Sequence, residues 1–272
     1  MKDGNGESED LEQGNEFLEA VKRGDRSAVE DLLRREPGLA RFAGEYDKTG
    51  LHWAAERDHV EVASLLLDAG ADIEAKTSWG ATALDWAATM GGVGVGDLLL
   101  VRGASGLTLV AAAGLGKLAE VRAIIGSGAD LSTHRRRGAP LSPNEDWLAD
   151  SAYMQGDVIS DAMYAAARNG HTHVARYLLD QGASVDAKGV LGGTALQWAA
   201  INGHKETVSL LADRGASLTV RDARFNATPE EWAIEGGHTE IANALRARRS
   251  NSEGAAGGPG GDPAPSAPPT AF

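Results

Sequence analysis

The chain has 272 residues, a formal net charge of −13 and no cysteine, and 42% of its residues are apolar. The absence of cysteine excludes disulfides and thiolate metal sites, which fits an intracellular, cytoplasmic protein. The acidic balance argues against a nucleic-acid ligand, because phosphate binding draws on clustered lysine and arginine. We expect no membrane attachment, since no apolar run approaches the ~20 residues that span a bilayer and the first twelve residues lack a signal-like apolar core.

Three short sequence markers recur in register along the chain. Residues 1–14 precede them, and we expect this acidic segment to be disordered. The first marker, Gly-Ala-Asp or Gly-Ala-Ser, recurs at intervals of 33, 25, 54 and 33 residues and begins at Gly70, Gly103, Gly128, Gly182 and Gly215. The second marker lies 21 residues before the first and reads, in its clearest copies, Thr49-Gly-Leu-His-Trp-Ala-Ala55, Thr82-Ala-Leu-Asp-Trp-Ala-Ala88 and Thr194-Ala-Leu-Gln-Trp-Ala-Ala200. The third is a Gly-His pair at Gly170, Gly203 and Gly237.

The residue spacing within one period predicts two short helices. After each threonine, the leucine and the two alanines fall on one narrow helical face, and small alanines let neighbouring helices approach closely. The Gly-His pair then ends the helix. A second apolar period follows, for example Val60, Val62, Leu65 and Leu66. One such pair cannot bury its apolar face alone, so the pairs must stack.

These markers resemble the ankyrin repeat, with its Thr-Pro-Leu-His-x-Ala-Ala start, Gly-His turn and Gly-Ala-Asp close. The resemblance covers about residues 15–249, although the proline of the start is present only at Pro229. It implies an all-α helical repeat solenoid with extended finger loops, in seven repeats near residues 15–47, 48–80, 81–106, 107–131, 161–192, 193–226 and 227–249. A long finger insertion is expected at residues 132–160 and a disordered Gly/Pro/Ala tail at 250–272.

Four tryptophans share one phase on the first helices: Trp53, Trp86, Trp198 and Trp232. They point away from the Leu/Ala/Ala face, toward the inner side of the predicted solenoid. They could form a binding surface, because tryptophan is enriched among interface hot spots. They could equally pack between neighbouring first helices as half-buried rings.

The finger loops supply the other candidate contacts. Members of the resembled family bind partners with fingers and first helices together, which implies contacts at Tyr46, Asp47, Trp79, Arg221, Arg224 and Phe225. The insertion adds Trp147 and Tyr153, either on a flap over the groove or on a solvated loop.

The sequence contains no phosphate loop, zinc motif or nucleophile elbow. We therefore expect no cofactor, no metal and no catalytic residue. The preferred hypothesis is a monomeric, non-enzymatic scaffold or adaptor that binds an unidentified protein or peptide on its concave groove. The alternatives are a small-molecule-binding enzyme or enzyme accessory with a pocket under residues 132–160, and an assembly role through the terminal repeats.

Overall fold

The computed structural model describes residues 4–134, 157–189 and 192–256. They belong to two compact units, which divide between Leu141 and Ser142. We call residues 4–134 unit 1 and the described residues from 157 onward unit 2. Most of the insertion, with Trp147 and Tyr153, and most of the tail lie outside the described residues.

Both units consist of paired helices, so the all-α prediction is confirmed. Unit 1 contains α1 (Gly4–Arg23) and α2 (Arg26–Arg35), α3 (Gly50–Arg57) and α4 (Val60–Asp68), α5 (Ala83–Met90) and α6 (Val93–Val101), and α7 (Leu109–Gly114) and α8 (Leu118–Gly126). Unit 2 contains α9 (Val158–Arg168) and α10 (Thr172–Asp180), α11 (Ala195–Ile201) and α12 (Lys205–Asp213), and α13 (Pro229–Glu235) and α14 (Thr239–Ala256). Within each unit, successive first helices contact one another, and among the second helices α2 contacts α4, α4 contacts α6 and α10 contacts α12.

The two terminal helices extend beyond the ends that we predicted. Helix α1 begins at Gly4, inside the segment 1–14 that we expected to be disordered, and α14 continues to Ala256. Buried side chains such as Phe17 and Val21 hold the later turns of α1 in place. Extending such a helix fixes the backbone of one residue for each new hydrogen bond, which costs less than forming the first turn. The low apolar content of residues 4–14 therefore did not prevent them from extending this helix.

Four first helices, α3, α5, α11 and α13, start at a threonine that exchanges hydrogen bonds with the residue three positions later. Thr82 and Asp85 form such a capping box, as do Thr194 with Gln197 and Thr228 with Glu231. At Thr49 the third residue is His52, whose Nδ1 accepts from the Thr49 backbone N–H at 3.2 Å. These pairs satisfy backbone donors that a helix start otherwise leaves unpaired.

The helix–helix turns join one repeat to the next through histidine. Gly24 lies in the turn between α1 and α2 and has φ +70°, a conformation that favours glycine. A Cβ on Gly24 would lie 2.8 Å from the ring of His59, and that ring donates from Nε2 to the Lys22 carbonyl at 3.1 Å. His204 and His238 lie equally close to Gly170 and Gly203. Glycine is needed at these turns both for its backbone conformation and for the space that the ring occupies.

The core of each unit lies between its stacked helices. The largest fully buried residues are Phe17, Leu51, Leu66, Leu84, Leu99, Leu109 and Leu115 in unit 1, and Met163, Leu178, Leu196, Leu211 and Trp232 in unit 2. Burying a leucine or phenylalanine side chain contributes about 1.5–3 kcal/mol. Alanines fill the remaining contacts between first helices, as at Ala54, Ala87 and Ala199.

The glycine-rich stretch 91–96 serves helix packing. A Cβ on Gly92 would lie 2.3 Å from the Ala55 carbonyl oxygen, and one on Gly96 would lie 2.5 Å from Leu115. Asp58 then accepts from the backbone N–H of Val95 at 2.7 Å and caps α6. The glycines allow α5 and α6 to approach their neighbours on both sides.

Two glycines at equivalent helix ends provide a test of this close packing. A Cβ on Gly114, the last residue of α7, would lie 2.4 Å from the Ala88 carbonyl oxygen, whereas one on Gly126, the last residue of α8, meets nothing within 4 Å. Gly114→Ala should lower the free energy of unfolding by about 1–3 kcal/mol through overpacking. Gly126→Ala should leave it unchanged or raise it by up to about 1 kcal/mol. Urea titrations of both variants measure the difference, and equal effects would contradict the assignment.

His52 should make unit 1 sensitive to acid. Burial lowers its pKa to about 4, although the hydrogen bond to the Ala81 carbonyl opposes the shift. Because the unfolded side chain titrates near ~6.5, its contribution is complete above that pH and is lost as the pH falls toward 4. The loss amounts to about 3 kcal/mol.

His52→Gln tests this, because Gln197 already makes the same two hydrogen bonds in α11: Oε1 accepts from Thr194 N–H at 2.7 Å and Nε2 donates to the Ala227 carbonyl at 2.7 Å. Urea unfolding at pH 7 and pH 4.5 should show a smaller acid loss in the variant. The reciprocal change Gln197→His should add acid sensitivity. If the free energies of unfolding of wild type and His52→Gln differ by the same amount at both pH values, His52 is not the source of the acid sensitivity.

Candidate functional site

The finger loops repeat one backbone geometry before each first helix. The residue two positions before the helix-starting threonine has a positive φ in every described finger, at Asp47, Gly80, Gly106, Gly192 and Asn226. The residue just before it lies at the fingertip and is aromatic in three fingers: Tyr46, Trp79 and Phe225. The fold therefore presents aromatic side chains at one repeated position.

In unit 1, two fingertip rings stack on each other and on a first-helix tryptophan. The centroids of Tyr46 and Trp79 are 4.9 Å apart with an interplanar angle of 28°. Trp79 and Trp86 follow at 6.4 Å and 17°. The two fingers are also joined by the Ser78 backbone N–H, which donates to the Tyr46 carbonyl at 3.0 Å. Tyr46 and Trp79 are half-buried, whereas Trp86 is buried.

An ion pair lies beneath these rings and fixes them. Lys48 Nζ and Glu56 Oε2 are 3.0 Å apart, with only 10% and 16% of their side chains exposed. The ammonium lies 3.5 Å from the ring centroid of Trp53 and 4.3 Å from that of Trp86, and the Trp86 indole donates to Glu56 at 3.0 Å. Burial lowers the pKa of Lys48, and the hydrogen bond and charge of Glu56 oppose that shift.

The first fingertip carries negative charge on both sides of its ring. Glu45 and Asp47 flank Tyr46 and are exposed. The hydrogen bond to Glu45 is the main cause that raises the pKa of Tyr46. Tyr46 also has φ 59°, a left-handed conformation that is uncommon for a bulky residue. The loop therefore holds an aromatic ring and two carboxylates toward solvent.

In unit 2, the tryptophans contact each other and a buried arginine. Trp198 and Trp232 meet edge to face, with centroids 5.0 Å apart. The Arg168 guanidinium lies 4.5 Å over the Trp198 ring, and burial lowers the pKa of Arg168. Trp232 is 2% exposed and Trp198 is half-buried.

One buried carboxylate, Asp222, organises the finger between α12 and α13 in unit 2. Asp222 accepts hydrogen bonds from the backbone N–H groups of Arg224, Phe225 and Ala227 at 2.9, 2.6 and 3.0 Å. It also accepts from the Trp232 indole at 2.9 Å. Arg221 is exposed and pairs with Glu231 at 3.1 Å. This fingertip is basic, with Arg224 lying 5.3 Å over Phe225.

The structure separates the candidate residues into an exposed set and a supporting set. Trp86 and Trp232 are buried and pack between repeats, which was one of the two interpretations of the shared tryptophan phase. Trp53, Trp198, Trp79, Tyr46 and Phe225 are half-buried, and Asp47, Arg221 and Arg224 are exposed. Contact of these residues with a partner stays a prediction, and Trp147 and Tyr153 lie outside the described residues.

Sequence reasoning missed the charged residues that hold the rings. Glu56 and Arg168 occupy the same repeat position, directly after the Ala-Ala pair, and each contacts the tryptophan of the next repeat. The available signal was a charged side chain at this position, which also recurs at Lys22 and Glu235. Lys48 and Asp222 gave no comparable signal, because charged residues are common in loops.

The described residues contain no group of three His, Asp or Glu side chains placed to hold a metal ion. No helix among them is both long and apolar enough to cross a bilayer. Unit 2 has an open cavity of about 520 Å³, whose lining includes Gly215, Leu218, Thr219, Arg248 and Arg249. Its arginines pair with Asp213 and Glu230 at the end of the helix stack.

Comparison with known proteins identifies relatives over most of the chain. A family model described as ankyrin repeats matches three copies, at residues 17–108, 108–222 and 163–253. The rice (Oryza sativa subsp. japonica) protein named "Probable E3 ubiquitin-protein ligase XBOS32" is 29% identical over 202 residues, which are 67% of this chain and 41% of the rice protein. Rice "E3 ubiquitin-protein ligase XB3" is 42% identical over 62 residues, 22% of this chain and 14% of that protein.

The chain thus matches less than half the length of these curated relatives. Among solved structures, the crystal structure of the human ASB11 ankyrin repeat domain matches with a TM-score of 0.42 and 23% sequence identity, covering 91% of this chain and 99% of that one. The family model spans nearly all of the described helices. The chain therefore belongs to the ankyrin-repeat family, whose repeats form protein–protein interaction domains.

Proposed function

We propose that the chain is a non-enzymatic adaptor that binds a protein or peptide, and that Tyr46 and Trp79 form a principal contact in unit 1. We call these two residues the fingertip pair. The observation that supports this proposal is their stacking: two half-exposed rings 4.9 Å apart rest on the buried ring of Trp86. Large aromatic side chains in such a position are typical of interface hot spots.

The support beneath the pair favours binding because it lowers the entropy cost of association. Each flexible side chain that becomes ordered at an interface costs about 0.5–1.5 kcal/mol. Here Trp86 is held by its hydrogen bond to Glu56, and Glu56 is held by Lys48. The fingertip pair is therefore already in one arrangement before a partner arrives.

The named relatives suggest what binding serves. Two of them are named as E3 or probable E3 ubiquitin-protein ligases, and this chain matches less than half of their length. We propose that the ankyrin repeats select the protein on which a ubiquitin ligase acts. Selection requires a surface that distinguishes partners, which the differing fingertips of the two units supply.

The enzymatic alternative stays a prediction. Its pocket was expected under residues 132–160, most of which lie outside the described residues. The described residues that line the cavity of unit 2 include no histidine or carboxylate.

Double replacement Tyr46→Ala/Trp79→Ala tests the binding surface. We expect partner affinity to fall by about 2 kcal/mol or more, roughly thirtyfold, because both stacked rings are lost. Quantitative affinity capture from the host organism, with wild type and variant side by side, identifies the partners that depend on the pair. Titration of a purified partner then gives the loss of affinity.

Two controls distinguish a lost contact from a lost fold. Val101→Ala removes an apolar side chain that is 84% exposed on the second helix α6, and it should leave capture unchanged. Trp79→Phe keeps a stacking ring and should retain most of the affinity. If the double variant keeps its helical circular dichroism and still captures every partner at wild-type strength, the proposed surface is wrong.

A further inference from the structure

Three partly exposed aromatic rings among the described residues already hold a cation from the chain itself. Lys22 and Lys48 lie over Trp53 at 4.1 and 3.5 Å from its ring centroid. In unit 2, Arg168 lies over Trp198 at 4.5 Å and Arg224 over Phe225 at 5.3 Å. Contacts of this kind are attractive because the face of an aromatic ring is electronegative.

The fingertip pair differs from these rings. Among the residues that the structure describes, no lysine or arginine lies over Tyr46 or Trp79. Two exposed carboxylates, Glu45 and Asp47, flank Tyr46 instead. The site thus combines the outer face of Tyr46 with negative charge, but it lacks the cation that Trp53, Trp198 and Phe225 hold.

We propose that the fingertip pair receives an arginine from a basic segment of a protein partner. This inference rests on the proposed function and adds the chemistry of the ligand. The guanidinium plane stacks on the outer face of Tyr46, which rests on Trp79, while Glu45 and Asp47 accept hydrogen bonds from its edge.

The chemistry favours arginine over lysine and over uncharged ligands. A guanidinium is planar, stacks on aromatic rings and donates two parallel hydrogen bonds to a carboxylate, whereas an ammonium is a compact and strongly hydrated charge. The net charge of −13 also attracts a basic partner over longer distances.

The nearby cations of unit 1 do not oppose this arrangement strongly. Lys48 is buried and paired with Glu56 at 3.0 Å. Lys22 pairs with Glu19 at 2.7 Å. Lys76, in the next finger, is exposed, so its charge is screened by water and salt.

The Phe225 fingertip of unit 2 disfavours a basic ligand. Arg224 already lies over Phe225, and Arg221 lies in the same loop. A partner arginine would meet like charge there, which is unfavourable. The inference therefore applies to unit 1 alone and predicts that the two fingertips do not exchange ligands.

Peptide selection on the full chain tests the inference. An unbiased library of displayed twelve-residue peptides is selected at about 50 mM salt, and peptides that also bind Tyr46→Ala/Trp79→Ala are discarded. We expect the remaining peptides to be enriched in arginine and depleted in aspartate and glutamate. Replacing the enriched arginine by citrulline, which has nearly the same shape but no charge, should weaken binding about three- to tenfold.

The decisive variant is Glu45→Gln/Asp47→Asn, which removes both charges and keeps the shapes; asparagine tolerates the positive φ of position 47. It should weaken the selected peptides about three- to tenfold and reduce their salt dependence. Glu61→Gln/Glu120→Gln changes net charge equally on exposed second-helix positions and should have little effect.

The outcomes separate this inference from the proposed function. Acidic or uncharged peptides, no pair-dependent peptide at all, or equal effects of the two charge variants would overturn the arginine site. The proposed function would stand in each case if the host partners were still lost from Tyr46→Ala/Trp79→Ala. Retention of those partners by that variant would remove the proposed surface itself.

Discussion

The threonine-capped start of the first helices α3, α5, α11 and α13 is the constraint on which the other features depend. His52 accepts from the Thr49 backbone through Nδ1 and donates through Nε2 to the Ala81 carbonyl at 3.0 Å, in the finger of the next repeat. Gln197 makes the corresponding link to Ala227. One side chain therefore starts a helix and also positions the next finger. The register of the following threonine, and with it the aromatic fingertip three residues earlier, is set by this link.

Much of this architecture could be predicted from the sequence, because it is local and repeated. The threonine, the leucine and the two alanines lie within seven residues, and their helical face follows from backbone geometry alone. Repetition of the pattern at one period then requires stacking. The start of α1 could not be predicted in this way. Its first residues are polar, and they become helical because they continue a turn that is anchored by Phe17 and Val21.

The sequence predicts at which repeat positions the candidate residues lie, but not how their side chains pack. The shared phase of Trp53, Trp86, Trp198 and Trp232 is visible in the sequence, but their exposure is not. Trp86 is buried because Trp79, Lys48 and Glu56 cover it, and the indole hydrogen bond to Glu56 spans thirty residues of sequence. Such contacts depend on the residue that each neighbouring repeat places opposite the ring. A single repeat does not contain that information.

The residue directly after the Ala-Ala pair contacts the tryptophan of the next repeat either at the edge of its ring or on its face. Glu56 accepts the indole hydrogen bond of Trp86, which stays buried, whereas Arg168 covers one face of Trp198, which stays half-exposed. The backbone positions are equivalent and the charges are opposite. A carboxylate at this position engages the edge of the ring and leaves the faces for stacking, so Trp79 and Tyr46 extend the stack outward. A guanidinium occupies the face itself, and the aromatic contacts of Trp198 continue edge to face through Trp232 to the fingertip residue Phe225. The charge of this residue therefore determines whether the edge or a face of the next tryptophan is engaged.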